Sequence, residues 1–400
     1  MHIARKIISI LLKTVASVVM IALTAIIVTS VSLVYRFDRP TPFSGPDIYD
    51  PYSSLDTANC WKRANFHTHT RVEGLLNECE YSPAEVYDAL EKFGYDIVTF
   101  SNHNKLTEHP FDSALQVNVY EHGYNLFKYH KLVFGSERVR HFDHLLPFFA
   151  FQKQFQLDIL GKDSDIIQFN HPLRTETVSA GQLEKLSGYR IMELDSGRST
   201  ENEYWDWALS AGHYCYGLAN DDLHYPDRTS CIAVRCSFLC TPSAGYEDIR
   251  QTLLDGCYYS MRVPDYVRGD WETKYAMNRD LPYVTDIGLD GETIRMTVSE
   301  NADSIKVTGQ NHMTLALVKD TDMVEYEMKA DDPYARVTAY FADGEVIYSN
   351  PFARYDATFC DGPYIEKTHT VNIFLTIVYN LLLAILAAGT VALLIKTVRR

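Results

Sequence analysis

A chain of 400 residues has room for two or three domains, and its formal charge of −15 lacks the basic surplus that a phosphate-backbone binder needs, which argues against nucleic acid as a partner. Hydrophobic residues make up 46%, with 27 Tyr and 19 Phe, so a well-packed core is expected and a long disordered tail is not. The eight cysteines show no paired Cys-x-x-Cys knuckle, which excludes the common structural zinc sites; pairing of Cys60 with Cys79, pairing of Cys231 with Cys240, and buried free thiols all stay open.

From Ile7 to Tyr35 the sequence is almost continuously apolar, and Thr14 to Tyr35 alone suffices to cross a hydrocarbon core of about 30 Å. The run exceeds a signal-peptide core and no small-x-small cleavage site follows, so an uncleaved anchor over 1–37 is expected. Val371 to Ile395 is a second apolar run, giving a helix over 371–396. Arg5, Lys6 and Lys13 precede the first run, and Lys396, Arg399 and Arg400 follow the second. The positive-inside rule therefore places both termini in the cytoplasm and everything between them outside it, in a cell membrane.

Residues 38–56, with four prolines among Ser, Asp and Gly, read as a linker. A buried strand then runs from Trp61 to Phe66 and delivers His67 and His69, which share a face if the strand continues. Ser82-Pro-Ala-Glu85 is a helix start with a capping box, and the helix stops at Gly94. Asp96 to Phe100 is a parallel-type strand ending in His103, and Lys131 to Phe134 leads into Glu137 and, after a turn, His144. Asp165 to Phe169 ends in His171, Tyr189 to Leu194 is a further strand, and a helix containing Tyr204 to Leu209 ends near Gly212. Cys215 to Leu218 runs into Asp222 and His224; Ile249 to Leu254 forms a helix stopped by Gly256, before Tyr258 to Met261. Strands that each bring His, Asp or Glu to a carboxyl end are the layout of an α/β barrel with one active face. Beyond it, Thr293–Val298 and Arg336–Phe341, with Asp290-Gly291 and Asp343-Gly344 as turns, predict an antiparallel β unit over 276–360.

In this order, His67-x-His69, Asn102-His103-Asn104, Gly135-Ser-Glu137 with His144, Asn170-His171-Pro172 and Asp222-x-His224 resemble the PHP (polymerase and histidinol phosphatase) superfamily. Gly256-Cys-Tyr-Tyr-Ser260, a β-rich segment and Ser349-Asn-Pro351 are similar to its CehA-like, membrane- or export-associated metallohydrolase branch. The resemblance implies a distorted (β/α)7 PHP barrel over 57–275 with two or three divalent metal ions. By it, His67, His69, Glu137 and Asp222 hold one metal, Glu137 bridges to a second held by His144 and His171, and His103 and His224 serve a third. Asp222, His224 and His103 are assigned the catalytic roles. The sequence departs from the family pattern in three places: Asn102 stands where Asp is usual, only Glu73 is offered after the first pair where some members have a further histidine, and His141 rivals His144.

Imidazole and carboxylate donors suit zinc, manganese or iron, and such ions activate water for hydrolysis. The expected activity is a membrane-anchored, extracytoplasmic phosphoesterase. Arg174 and Arg198 are candidate phosphate contacts, and the substrate is a phosphorylated or ester compound, with the cell envelope as one source. The alternatives are a carboxyl- or carbamate-ester metallohydrolase and a non-catalytic metal-binding sensor or binding module.

Overall fold

The structure is a computed structural model that describes residues 2–55, 61–74, 77–196, 200–264 and 269–399. Cys60, Arg198 and Arg400 lie outside the described residues. Cys79, Cys215, Cys236 and Cys257 are buried free thiols and Cys231 carries no disulfide, so of the alternatives left open the buried thiols are found and the Cys231–Cys240 pair is not; the pair with Cys60 lies outside the described residues.

Two helices, His2–Thr29 and Ile373–Arg399, are long and apolar enough to cross a membrane by length and composition. The first stops six residues short of Tyr35, because Tyr35–Phe37 instead pairs antiparallel with His369–Val371 to form a two-stranded collar. The helices lie side by side: Thr24 Oγ1 is 2.8 Å from Thr390 Oγ1, Asn380 Nδ2 donates to the Ser32 carbonyl at 2.8 Å, and the Tyr379 hydroxyl donates to the Ser30 carbonyl at 3.0 Å.

Between them the chain is mixed α/β. Ser82 caps the helix Pro83–Glu91 in the predicted capping box: its N–H donates to Glu85 Oε2 at 2.7 Å and its hydroxyl accepts from the Glu85 N–H at 3.4 Å. Gly256 ends the helix Tyr246–Asp255 with φ +82°, and an added Cβ there would come within 2.1 Å of the Tyr216 ring, so both conformation and space require glycine. Strands Ile166–Phe169, Ile191–Leu194 and Tyr216–Ala219 are mutually parallel, as are Lys62–Asn65 and Ile97–Val98.

The closed seven-stranded barrel is not what the hydrogen bonds make. Among the described residues the strands form an eleven-stranded and a five-stranded sheet besides the collar. Where the two large sheets meet, single bridges join Thr68 to Leu223 and His103 to Glu121, and no ladder closes the ring. The departure begins at Val119–His122, a strand not predicted from the sequence. It forms an antiparallel hairpin with Lys131–Phe134, which in turn runs antiparallel to Ile166–Phe169.

The antiparallel segment continues the larger sheet: Val346–Ser349 pairs with Tyr258–Arg262, which pairs with Arg235–Leu239, which pairs with Lys62–Asn65. The Asp290-Gly291 turn joins Val284–Asp290 to the long strand Thr293–Gly309 as expected. A buried ion pair ties this segment to the helix Glu203–Ser210, with Arg336 Nε donating to Asp206 Oδ1 at 2.8 Å.

Candidate metal centre

Beyond Asn65 the opening segment keeps single backbone bonds to its neighbours, such as His69 N–H to the Leu223 carbonyl at 2.8 Å, and polar side chains hold the rest. Phe66 N–H donates to Asn220 Oδ1 at 2.8 Å, and Thr68 N–H to Ser101 Oγ at 3.0 Å. Asn102 accepts from Thr70 N–H at 2.8 Å while its amide donates to the Thr70 and Thr107 hydroxyls, both at 2.7 Å. The asparagine thus ties Thr70 and Thr107 to the end of the second strand without adding a charge.

His67 and His69 reach one point. Their Nε2 atoms stand 3.0 and 3.3 Å from Asp222 Oδ1, and 3.2 and 3.3 Å from Glu121 Oε2. His103 Nε2 approaches the same Glu121 oxygen at 3.2 Å, and His224 Nε2 lies 3.2 Å from Asp222 Oδ1. The other oxygen, Glu121 Oε1, faces His130 Nδ1 at 3.1 Å and His171 Nε2 at 3.2 Å, and accepts from the Asn170 amide at 2.9 Å. Glu78 adds a carboxylate 2.9 Å from His103 Nε2 and 3.9 Å from His224 Nδ1.

Of the residues named from the sequence, His67, His69, His103, His171, Asp222 and His224 are therefore brought together. Glu137 and His144 are not. Glu137 is exposed on the turn after Lys131–Phe134, whereas His144 is buried with Nε2 3.2 Å from the Val31 carbonyl and Nδ1 3.1 Å from the Gln156 amide. The reason is strand direction: Lys131–Phe134 is antiparallel to its neighbours, so its amino end meets the cluster with His130 and its carboxyl end carries Glu137 away. Glu121 stands at the carboxyl end of the unpredicted strand. Glu73 and His141 are both exposed, and neither joins the groups of possible ligands among the described residues. Glu121, His130, Glu78 and Glu193 were missed; the β-rich run Val117-Asn-Val-Tyr-Glu121 was the signal for the first of them.

Glu193 acts behind the cluster. Its Oε1 accepts from His67 Nδ1 at 2.8 Å, which fixes the proton there and turns the Nε2 lone pair toward the shared point. Its Oε2 accepts the His171 N–H at 2.6 Å. His171 and Asp222 both sit in the left-handed region, at φ 31° and 52°, a conformation costing about 1 kcal/mol or more for non-glycine residues. These contacts help to hold His171 there.

The electrostatics follow from crowding imidazoles around few carboxylates. Burial would raise Glu121 and Asp222, but the neighbouring histidines hold both well below the usual carboxylate range. Burial opposes charge on His103, yet Glu121 and Glu78 lift it to about 9; His67, facing Asp222, Glu121 and Glu193, is likewise raised well above its ordinary value against burial. His130 faces Glu121 alone, and burial takes it down to about 4.

The donor set fits divalent metal. His67 Nε2 and His69 Nε2 are buried without a hydrogen-bond partner, and the cluster divides into His67, His69, Glu121 and Asp222; His103, Glu121 and His130; and His69, Glu78 and His103. Two ligands about 2.1 Å from one ion stand about 3.0 Å apart across an octahedral edge and about 3.4 Å across a tetrahedral one, close to the separations found here. Metal must displace the protons that His67 and His103 carry near neutrality. Loading will therefore release protons, and apparent affinity will rise with pH above neutrality, which titration calorimetry in buffers of different ionisation enthalpy will read.

No family model matches the chain, and no curated protein matches it. Two solved structures are similar. One, from Bacteroides vulgatus, is a two-domain protein containing a predicted PHP-like metal-dependent phosphoesterase; it is 12% identical, at a TM-score of 0.37 over 78% of this chain and 99% of that one. The other is a lesion-specific endonuclease from Pyrococcus furiosus, 12% identical, at a TM-score of 0.32 over 48% of this chain and 56% of that one. Similarity this low leaves the functional reading to the residues themselves.

Proposed function

We propose that the chain is a PHP-superfamily, metal-dependent phosphoesterase, anchored by its terminal helices with the cluster outside the cytoplasm. The observation that carries this reading is Glu121. One buried carboxylate shared by five imidazoles, with Asp222 opposite, is the arrangement that holds neighbouring cations and has little purpose without them. Two divalent ions, zinc, manganese or iron, would be held by His67, His69, Glu121 and Asp222 and by His103, Glu121, His130 and His171; a third would draw on Glu78 and His224, since the Nε2 atoms of His69 and His103 each serve one ion. When bound, they supply an activated water and neutralise charge on the phosphoryl oxygens.

The protein's own groups do the rest. Glu193 keeps His67 in one tautomer, held in turn by the Gln168 amide at 3.3 Å. In hydrolysis the water gives up one proton to solvent, its oxygen forms a bond to phosphorus, the bond from phosphorus to the leaving oxygen breaks, and that oxygen takes a proton. His224, on the open edge beside Asp222, is placed to give it. Arg174 pairs with Asp222 Oδ2 while remaining half exposed, so its remaining N–H groups can meet a phosphate oxygen. Arg174→Ala will raise KM for a phosphoester about tenfold with a smaller change in kcat, as read by steady-state kinetics.

Both outer ends carry the basic residues expected on the cytoplasmic side, and the domain division at about residue 275 accompanies this reading. The test is hydrolysis by the purified full chain, loaded with each metal in turn, of phosphomonoesters, phosphodiesters and carboxyl esters. Turnover of carboxyl esters alone would replace this reading with a carboxyl-ester hydrolase.

A further inference from the structure

The loop that joins Glu121 to His130 does more than connect two members of the cluster. Its residues Tyr124 and Leu126 are 44% and 68% exposed, and beside it the segment after Phe142 exposes Phe148 at 54% and Phe149 at 52%. The two segments are one unit, since Leu126 N–H donates to the Leu145 carbonyl at 3.0 Å, Asp143 Oδ2 accepts from Tyr124 N–H at 2.9 Å, and the Phe127 and Phe148 rings stand 5.1 Å apart.

This apolar patch continues directly into the terminal helices. Leu145 N–H donates to Thr29 Oγ1 at 3.4 Å, and Thr29 is the last residue of the first helix. Phe149 stacks on Phe151 at 5.2 Å, Phe151 meets the Tyr379 ring at 5.1 Å, and Gln152 Nε2 donates to the Tyr379 hydroxyl at 3.3 Å. Tyr379 lies six residues inside the second helix, about 9 Å along its axis from Ile373. Away from the helices the order of contacts descends the helix Ala150–Leu160: Gln152 meets Tyr379, whereas Asp158 meets His369 of the collar at 3.0 Å. The Tyr129 hydroxyl donates to the Lys153 carbonyl of that helix at 3.4 Å and Lys131 Nζ to Gln156 Oε1 at 2.6 Å, so its first turns lie beside the amino end of Lys131–Phe134, the end that carries His130. The cluster and the emerging helices thus occupy the same end of the domain. Leu126 follows Glu121 by five positions, a reach of at most about 18 Å.

On the reading of the preceding section, we propose that Tyr124–Phe127 and Phe142–Phe149 insert into the bilayer surface beside the two spans, and that the substrate is the phosphorylated headgroup of a membrane lipid. Large apolar and aromatic side chains flanking a span belong at the interface between headgroups and hydrocarbon, and Lys128 in the same loop sits where an anionic headgroup would be. Exposed to water alone, the same patch would be an aggregation liability.

The test uses the full chain in lipid nanodiscs. A fluorescent amino acid incorporated at position 126 or 148 will be quenched by brominated lipid, whereas one at Lys162, beyond the far end of Ala150–Leu160, will not; no quenching at 126 and 148 overturns insertion. The triple variant Leu126→Ser, Phe148→Ser, Phe149→Ser is then compared with the parent on dioleoyl phosphatidate and dioleoyl phosphatidylglycerol, and on their deacylated, water-soluble counterparts. Loss of lipid turnover by roughly tenfold or more with soluble turnover unchanged supports the proposal. Equal loss on both, or no loss on either, overturns the lipid substrate. If the parent hydrolyses none of the four but turns over the soluble phosphoesters of the preceding section, the lipid substrate fails and the phosphoesterase reading stands; if it turns over neither, both fail, and quenching still decides insertion.

Discussion

Glu121→Gln will abolish hydrolysis, by on the order of 10³-fold or more, and will lower the bound metal by at least one ion per chain. The substitution keeps the shape of the side chain and removes its charge. Five histidine nitrogens lie within 3.3 Å of its two oxygens, so no other single change withdraws negative charge from so many donors. Elemental analysis of the purified chain, together with turnover of a phosphomonoester, reads both effects. Glu137→Ala provides the contrast, because that carboxylate is exposed and apart from the cluster. It will leave metal content and turnover at the parent level. If instead Glu137→Ala removes the metal and Glu121→Gln does not, the site is misassigned.

Arg336→Ala will cost about 3 to 5 kcal/mol of stability, the usual consequence of stranding one member of a buried ion pair. Arg336 and Asp206 are each at most 1% exposed, and Asp206 also receives the Tyr334 hydroxyl at 3.0 Å and faces His312 Nδ1 at 3.1 Å. The loss falls at the seam between the antiparallel segment and the helix Glu203–Ser210, so unfolding midpoints should drop while an exposed pair such as Arg295 with Glu325 changes little on Arg295→Ala. Burial would raise the Asp206 pKa, but Arg336 and His312 outweigh it and hold the value below the ordinary one. A depressed carboxylate contributes its stability above the unfolded pKa and loses it as pH falls through the folded one. The difference between parent and Arg336→Ala will therefore be full at neutral pH and will shrink under acid, as denaturant unfolding across that range will measure.

Local chemistry was legible wherever a short stretch decides its own structure. The capping box at Ser82 and Glu85, the glycine stop at 256, the Asp290-Gly291 turn and the two apolar helices all follow from residues within a few positions of one another. Six of the eight residues named as ligands converge because each follows a strand whose carboxyl end was placed correctly, and His67 and His69 still meet although the strand stops at Asn65. The sequence also determined the type of donor, histidines and carboxylates without thiolates, which narrows the cations such a cluster could hold.

Only the tertiary structure decided the direction of a strand. Periodicity and β-propensity are the same read forward or backward across a sheet, so nothing in Lys131-Leu-Val-Phe134 says that it runs against its neighbours. Once it does, its amino end supplies His130, its carboxyl end removes Glu137, and the hairpin partner Val119–His122 delivers Glu121. The same reversal sends the chain back past the ends of the apolar helices, where His144 packs against Val31 instead of meeting metal. Which carboxylate lies at the centre is thus a long-range property, set by hydrogen bonds between strands far apart in sequence.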